Sequence, residues 1–273
     1  MGKSNIRSPV VAGQFYVGSG QGLNKQIEAL VDKQAKKQDV IACMLPHAGY
    51  MYSGRVAAQT ISRVNLKDKI ILLGPNHTGL GAPFSIMIHG AWETPLGVVP
   101  INESLAQEIL SHSQYLKEDM LAHVDEHSLE VELPFLQYFR SDFSIVPIAF
   151  LSSDVFILKE IGKEIASAIK DNKSESSTLI VASSDMTHYE PEAQAKKKDF
   201  EAIQAILELD EDKLMEKIQK LNISMCGYAP VIVMLSLAKS LGAKAAELVK
   251  YQTSGDVTQD KGSVVGYAGV IIF

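Results

Sequence analysis

The sequence predicts an α/β domain with a largely parallel central sheet flanked by helices. Three observations carry this expectation. Short apolar runs alternate with amphipathic segments along the whole chain, the pattern of strands separated by helices. No Pro/Gly/Ser linker, composition shift, repeat or low-complexity tract divides the 273 residues, so residues 1–273 are expected to form one domain. A chain of this length also suits a single α/β domain and buries enough surface to need no covalent staples.

Each element follows from its own pattern. Leu23, Ile27, Leu30 and Val31 recur at helical spacing and predict the first helix. Val40–Leu45 and Lys69–Leu73 are apolar runs that predict buried strands, and Phe84–Ile101, with Trp92 and Gly97, reads as hairpin-like strands. A helical pattern is expected to start within Asp125–Glu130 and run to Leu133, and Ile145–Phe150 predicts another strand. Ile157, Leu158, Ile161 and Ile165 mark a helix, and the polar stretch Asp171–Ser177 a connecting loop. Leu179–Ala182 is a strand. Pro191 opens a long helix through Leu209 from its first turn, and Asp210 caps the next one. Pro230–Leu241 is a more apolar helix and should be more buried, and Val270–Phe273 closes the chain as a strand.

Composition excludes several function classes. With 26 basic and 32 acidic residues the net charge is −6, which argues against a nucleic-acid partner and against an anionic-membrane anchor. The N-terminal stretch Met1–Tyr16 has no apolar core of signal-peptide type, and no run approaches the ~18–20 apolar residues of a membrane span. Cys43 and Cys226 are too few for a disulfide framework. A cytoplasmic protein in a reducing compartment is therefore expected.

In open α/β sheets, ligands collect beyond the carboxyl ends of the strands. Three apolar runs here lead at once into ionisable residues: Leu45 into Pro46-His47-Ala48-Gly49-Tyr50, Leu73 into Gly74-Pro75-Asn76-His77, and Ser184 into Asp185-Met186-Thr187-His188-Tyr189. If those strands are neighbours, His47, His77, Asp185 and His188 converge on one rim. Imidazole is the commonest metal ligand, and Gly/Pro turns hold it rigidly. The spacing of Asp185 and His188 suits a carboxylate that orients an imidazole, or a short turn placing both in one pocket.

The other histidines read differently. His89 and His112 lie in an expected strand and helix with no acidic or sulfur partner nearby, so both read as surface residues, and His123 lies in a polar turn. His127 sits between Glu126 and Glu130, acids that a helix dipole would equally explain, and it joins Tyr50 and Asn76 as a candidate pocket residue. Cys43, inside an apolar run, should be an inert thiol. Cys226 precedes a helix, where amide dipoles would favour its thiolate.

Taken together, these motifs resemble the Memo family, found in bacteria and archaea as protein B of the AmmeMemoRadiSam system. The resemblance rests on Arg7-x-Pro9-x-Val11-Ala12-Gly13-x-Phe15-Tyr16, Pro46-His47-Ala48-Gly49-Tyr50, Gly74-Pro75-Asn76-His77, Glu126-His127-Ser128-x-Glu130, Ser183-Ser184-Asp185-x-x-His188-Tyr189, Met225-Cys226-Gly227 and the closing Gly262–Phe273 segment. That family in turn is similar to the LigB-type, class III extradiol dioxygenases, which implies a mixed or mostly parallel sheet flanked by helices. The resemblance implies a mononuclear metal site on His47, His77 and Cys226, with Asp185 and His188 as catalytic residues in the same pocket. His188 would move protons and Asp185 would set its tautomer. Extradiol enzymes place a carboxylate where Cys226 stands; thiolate suits copper or zinc as well as iron, so the implied cofactor is a transition metal, iron or copper, with zinc as a third choice. The expected activity is dioxygenase-like redox chemistry on a small substrate. The alternatives are a metal- or peptide-binding adaptor for a phosphopeptide-type ligand, and a metal-assisted hydrolase. The resemblance also implies a functional link to a radical-SAM protein.

Overall fold

Apolar runs become strands here wherever neighbours cover both faces. The computed structural model describes residues 6–273; Met1–Asn5, the start of the stretch read above as lacking a signal-type core, lie outside the described residues. The chain begins with β1 (Ile6–Arg7), α1 (Gly20–Glu28), β2 (Ala42–Leu45), α2 (Gly54–Ser62) and β3 (Lys69–Pro75). It continues through β4 (Phe84–Ile86), β5 (Ala91–Thr94), β6 (Gly97–Pro100), α3 (Glu103–His112), β7 (Lys117–Glu118), α4 (Leu121–Val124), α5 (Leu133–Phe139) and β8 (Ser144–Phe150). The second half comprises α6 (Val155–Asp171), β9 (Thr178–Ser183), β10 (His188–Glu190), α7 (Glu192–Leu207), α8 (Glu211–Leu221), α9 (Tyr228–Ser240), β11 (Ala246–Thr253), α10 (Gly255–Thr258) and β12 (Val264–Ile272).

Nine strands form one mixed sheet in the order β10-β12-β2-β9-β3-β8-β4-β7, with β11 also pairing β12. Its centre, β2-β9-β3-β8, is parallel, and β12 and β4 flank it antiparallel. The register places Leu45 beside Ser183 and Leu73 beside Ala182, so three parallel strands end side by side. This α/β domain agrees with the sequence expectation. The hairpin-like stretch divides: β5 and β6 pair as a hairpin in a separate three-stranded sheet with β1, whereas β4 joins the large sheet beside β8.

Helices cover the sheet in two groups. In α9 every side chain from Ala229 to Ala238 is buried; it lies on β9 and β3, with α6 and α8 behind it, which accounts for its apolar composition. The other group is α2 against β2, β11 and β12, supported by α5 and α1. Caps fall where hydrogen-bonding side chains permit: Asp154 accepts from the Ile157 amide and Asp210 from the Lys213 amide. Pro191 is the cap residue of α7 rather than a member of its first turn. No helix among the described residues is long and apolar enough to cross a membrane.

Residues 126–132 depart from the expected helix. They form irregular turns ahead of α5, and Glu126, Glu130 and Glu132 are all fully buried. Glu130 accepts from Arg7 Nη1 (2.7 Å), the Val10 and Val11 amides and the Tyr16 hydroxyl (2.6 Å), tying the N-terminal segment to this turn. His123 is not in a polar turn: its ring is fully buried in α4, edge-on to Trp92, and neither nitrogen has a hydrogen-bond partner among the described residues. His89 lies in a bend between β4 and β5 and is exposed, as expected of a surface residue, but Glu103 stands 3.2 Å away; His112 ends α3 within 3.0 Å of Asp171. Folding brings both their acidic partners from distant sequence or a neighbouring helical turn.

A candidate metal centre at the carboxyl ends of three strands

The tips of β2, β3 and β9 deliver the histidine-bearing turns to one place. His47 follows β2, His77 follows β3, and Asp185 and His188 follow β9. Cys226 arrives from the opposite direction, at the turn before α9. The candidate ligand atoms of His47, His77 and Cys226 lie within 4.8 Å of one another, a span comparable with twice a metal–ligand bond of about 2.0–2.3 Å. His47 Nε2 and Cys226 Sγ are 3.3 Å apart, and the two imidazole rings meet edge-on at 5.2 Å.

Each imidazole has one nitrogen already engaged. His47 Nδ1 lies 2.8 Å from Ser183 Oγ, and His77 Nδ1 lies 2.9 Å from Glu126 Oε1. The remaining Nε2 atoms are the ones available to an ion, the arrangement of metal-binding histidines whose far nitrogen is held by a second group. Burial, reinforced by the neighbouring His77 and His127, pushes the pKa of His47 well below its ordinary value, so it is a neutral donor. For Glu126, burial raises the pKa, but hydrogen bonds from His77 and the Ser128 amide outweigh it and hold the carboxyl at about 2. The donor set therefore fits a transition-metal ion: two imidazoles and one sulfur.

Cys226 does not behave as the helix-dipole argument predicts. Burial, then the nearby Asp185 charge, pushes its thiol up, although the Asp185 amide lies 3.3 Å from the sulfur. Gly227 caps α9 where a Cβ would stand only 2.3 Å from the Ser183 carbonyl oxygen, so glycine is what lets the Cys226 turn press against β9. Cys43 is the inert thiol expected, fully buried within β2.

Asp185 and His188 are brought to the same pocket, with different partners from those expected. Asp185 Oδ1 accepts from the His47 amide at 2.9 Å, so it braces the His47 turn rather than the His188 ring. Burial raises its pKa to about 6, against the opposing pull of His188 and the His47 and Ala48 amides. His188 Nδ1 lies 2.8 Å from the Ser224 carbonyl oxygen, which can only accept. Nδ1 must therefore carry a proton, so the neutral ring is the tautomer with its lone pair on Nε2. Ser224, not Asp185, sets that tautomer.

A cavity of about 1000 Å³ opens over this floor, at the upper end of small-ligand sites. His47, His77, His127, Asp185 and His188 line it, with an aromatic wall of Phe15, Tyr52, Tyr189 and Tyr267. Among the described residues no Lys or Arg lines it, whereas Asp185 and Asp260 do. His127 lines the pocket; it stacks on His77 at 4.8 Å and 22°, and its ligand atom lies within 4.8 Å of those of His77 and Glu126, a second possible metal-holding group that shares His77 with the first. Tyr50 does not line it: its ring is buried against Phe135 and its hydroxyl donates to the Val131 carbonyl. Asn76 is also off the cavity wall. Its Oδ1 accepts from the Thr78 and Gly79 amides and its Nδ2 donates to the Leu80 carbonyl, which shapes the loop carrying His77. Ser183, Glu132, Ser224 and the aromatic wall escaped sequence reasoning; three buried acids interleaved with Leu129, Val131 and Leu133 were the available signal for the glutamates.

The family described as Memo-like protein matches residues 7–271. A MEMO1 family protein of Aquifex aeolicus is 43% identical over 268 residues, covering 97% of this chain and 98% of that one. A MEMO1 family protein of Methanopyrus kandleri is 40% identical over 279 residues, with coverage of 97% and 98%. Among solved structures, the uncharacterized protein JW3007 of Escherichia coli K12 matches with a TM-score of 0.54 and 13% identity, over 84% of this chain and 98% of that one; the likeness is one of fold.

Proposed function

We propose, for a chain that belongs to the Memo-like protein family, that His47, His77 and Cys226 hold one transition-metal ion, iron or copper with zinc as a third choice, for redox chemistry on a small organic ligand. The observation that carries this reading is the pair of imidazoles whose Nδ1 atoms are engaged by Ser183 and Glu126, leaving both Nε2 atoms for an ion shared with the Cys226 sulfur. When bound, iron or copper would supply a Lewis acid and a one-electron redox centre, and zinc a Lewis acid alone.

The chain's own groups would do the rest. Phe15, Tyr52 and Tyr267 offer aromatic surface to an organic ligand and narrow the space left for water. His188, with Nδ1–H donated to the Ser224 carbonyl, presents Nε2 as a general base on the cavity wall. Asp185 keeps the His47 turn in place through the backbone amide.

An adaptor binding a peptide in the same pocket is the second reading, favoured by the size of the cavity. A phosphorylated peptide is a poor match, because Asp185 and Asp260 line the cavity with no Lys or Arg among the described residues to answer a phosphate. We further place the protein in the cytoplasm, acting on a small molecule or peptide and linked to a radical-SAM protein, without membrane or nucleic-acid partners. The test is anaerobic metal analysis followed by oxygen-uptake assays over a panel of catechols and thiols. Stoichiometric metal with oxygen uptake supports the redox reading. Metal without turnover, together with tight peptide binding, replaces it with the adaptor, and oxygen-independent ester cleavage replaces it with a metal-assisted hydrolase.

A further inference from the structure

Glu132 is fully buried, and the centre described above assigns it no task. Its Oε1 lies 2.8 Å from Ser183 Oγ, while its Oε2 has no hydrogen-bond partner among the described residues. Among the described residues no cation answers it: the buried guanidinium of Arg7 is taken by Glu130, and the charged group that acts on Glu132 is Asp185, of like sign. Ser183 Oγ also lies 2.8 Å from the Ser128 carbonyl oxygen and 2.8 Å from His47 Nδ1.

These three contacts can be counted in protons. A hydroxyl donates one hydrogen bond and accepts two. The Ser128 carbonyl only accepts, so the Ser183 proton must go there. The other two neighbours must then donate to Ser183: His47 as Nδ1–H, and Glu132 as a neutral acid. With a carboxylate at Glu132, one of the three short contacts would set lone pair against lone pair. A neutral Glu132 also leaves its unpartnered oxygen as an uncharged carbonyl, a far smaller penalty in an apolar interior than half of a carboxylate. Burial acts in the same direction, pushing this carboxyl well above the usual range.

We propose that Glu132 is a neutral carboxylic acid that, through Ser183, fixes His47 as its Nδ1–H tautomer and so turns the Nε2 lone pair toward Cys226. Glu132 is thus a positioning residue that acts through another. The two imidazoles are held unequally. His77 donates to the charged carboxylate of Glu126, whereas His47 donates to a hydroxyl already accepting a second proton. One turn of chain, residues 126–132, supplies both devices.

The proton assignment is tested without metal; only the affinity arm rests on the metal reading above. In the metal-free full-length protein at neutral pH, the infrared difference between wild type and Glu132→Gln should contain the C=O stretch of a protonated carboxyl. Nitrogen NMR should find His47 protonated at Nδ1, and Ser183→Ala should mix its tautomers. Absence of the protonated-carboxyl band, or a His47 protonated at Nε2, overturns the proposal. In the affinity arm, Glu132→Leu should weaken anaerobic Fe(II) binding about 10–100-fold, the usual loss when such a supporting group is removed. Glu132→Gln, whose amide can still donate to Ser183, should recover most of that loss, which a merely space-filling role would not require. A Gln variant as weak as Leu, with both folded by circular dichroism, also overturns it. Should wild type bind no metal at all, the metal reading fails while the infrared and NMR arms still decide the state of Glu132.

Discussion

His47 and His77 stand at strand tips, and neither ring supports the core of the sheet, so their removal should separate metal binding from folding. His47→Ala and His77→Ala should each lose bound metal while unfolding remains cooperative. His89→Ala, whose exposed ring meets only Glu103, should keep it. Equal metal retention in all three, measured on anaerobically purified protein, would remove these residues from the centre. Cys226 makes a sharper demand. A thiolate prefers copper(I) and a carboxylate Fe(II), so Cys226→Asp should weaken copper(I) binding far more than Fe(II) binding in direct competition, while Cys43→Ala should alter stability alone. An unchanged copper-to-iron preference in Cys226→Asp would mean that sulfur is not a ligand. His123 carries a different prediction. Burial, and secondarily the Arg7 charge, lowers its pKa to about 4, and its nitrogens are unpaired. Above pH 6.5 both folded and unfolded states hold it neutral. Between pH 6.5 and 4 the unfolded chain takes a proton that the folded one refuses, so stability falls with pH, by roughly 3 kcal/mol in all. His123→Leu should flatten this part of the stability profile, its advantage over wild type in thermal midpoint growing from pH 7 to pH 4.

Gly227 decides how closely α9 approaches β9. A methyl group there would meet the Ser183 carbonyl and the Ser184 side chain, so Gly227→Ala must move the turn that carries Cys226. Overpacking of this kind costs about 1–3 kcal/mol, and metal affinity should drop along with the thermal midpoint; a variant with unchanged affinity would show that the sulfur position is not critical. Some elements could be read from sequence because burial on both faces writes itself as an apolar run: β3, β8 and β9 are such strands, and α9 is apolar all round for the same reason. Three histidine turns after three such runs put His47, His77 and His188 at strand ends, on one rim only if those strands became neighbours. The order β2-β9-β3 could not be read, since no local pattern records which strands become neighbours. Nor could the work of residues 126–132. An acid in a turn looks like a solvated residue or a dipole partner until folding covers it, and only then does Glu126 orient His77 while Glu130 receives Arg7. Tyr50 and Asn76 misled for the converse reason, because sharing a motif with a ligand histidine does not fix which way a side chain points.

At the scale of the whole molecule, the centre joins segments from both halves of the chain: His47 and Cys226 are 179 positions apart. Metal bound there should stabilise every element together. With ion at about 100 times its Kd, linkage adds about 2.7 kcal/mol, so stripping the metal should lower the midpoint of a single unfolding transition rather than split it in two. Calorimetry of loaded and stripped protein checks this, and two separate transitions would indicate units that fold independently. One strand serves both the centre and the cavity above it: Val270–Ile272 of β12 lie against Met44–Ala42 of the strand that leads to His47, and Val265 and Tyr267 of the same strand wall the cavity. An ion that steadies the His47 turn and a ligand that fills the cavity therefore lean on the same backbone ladder, so metal loading should slow hydrogen exchange along β12 and stiffen a wall that the ion itself does not touch.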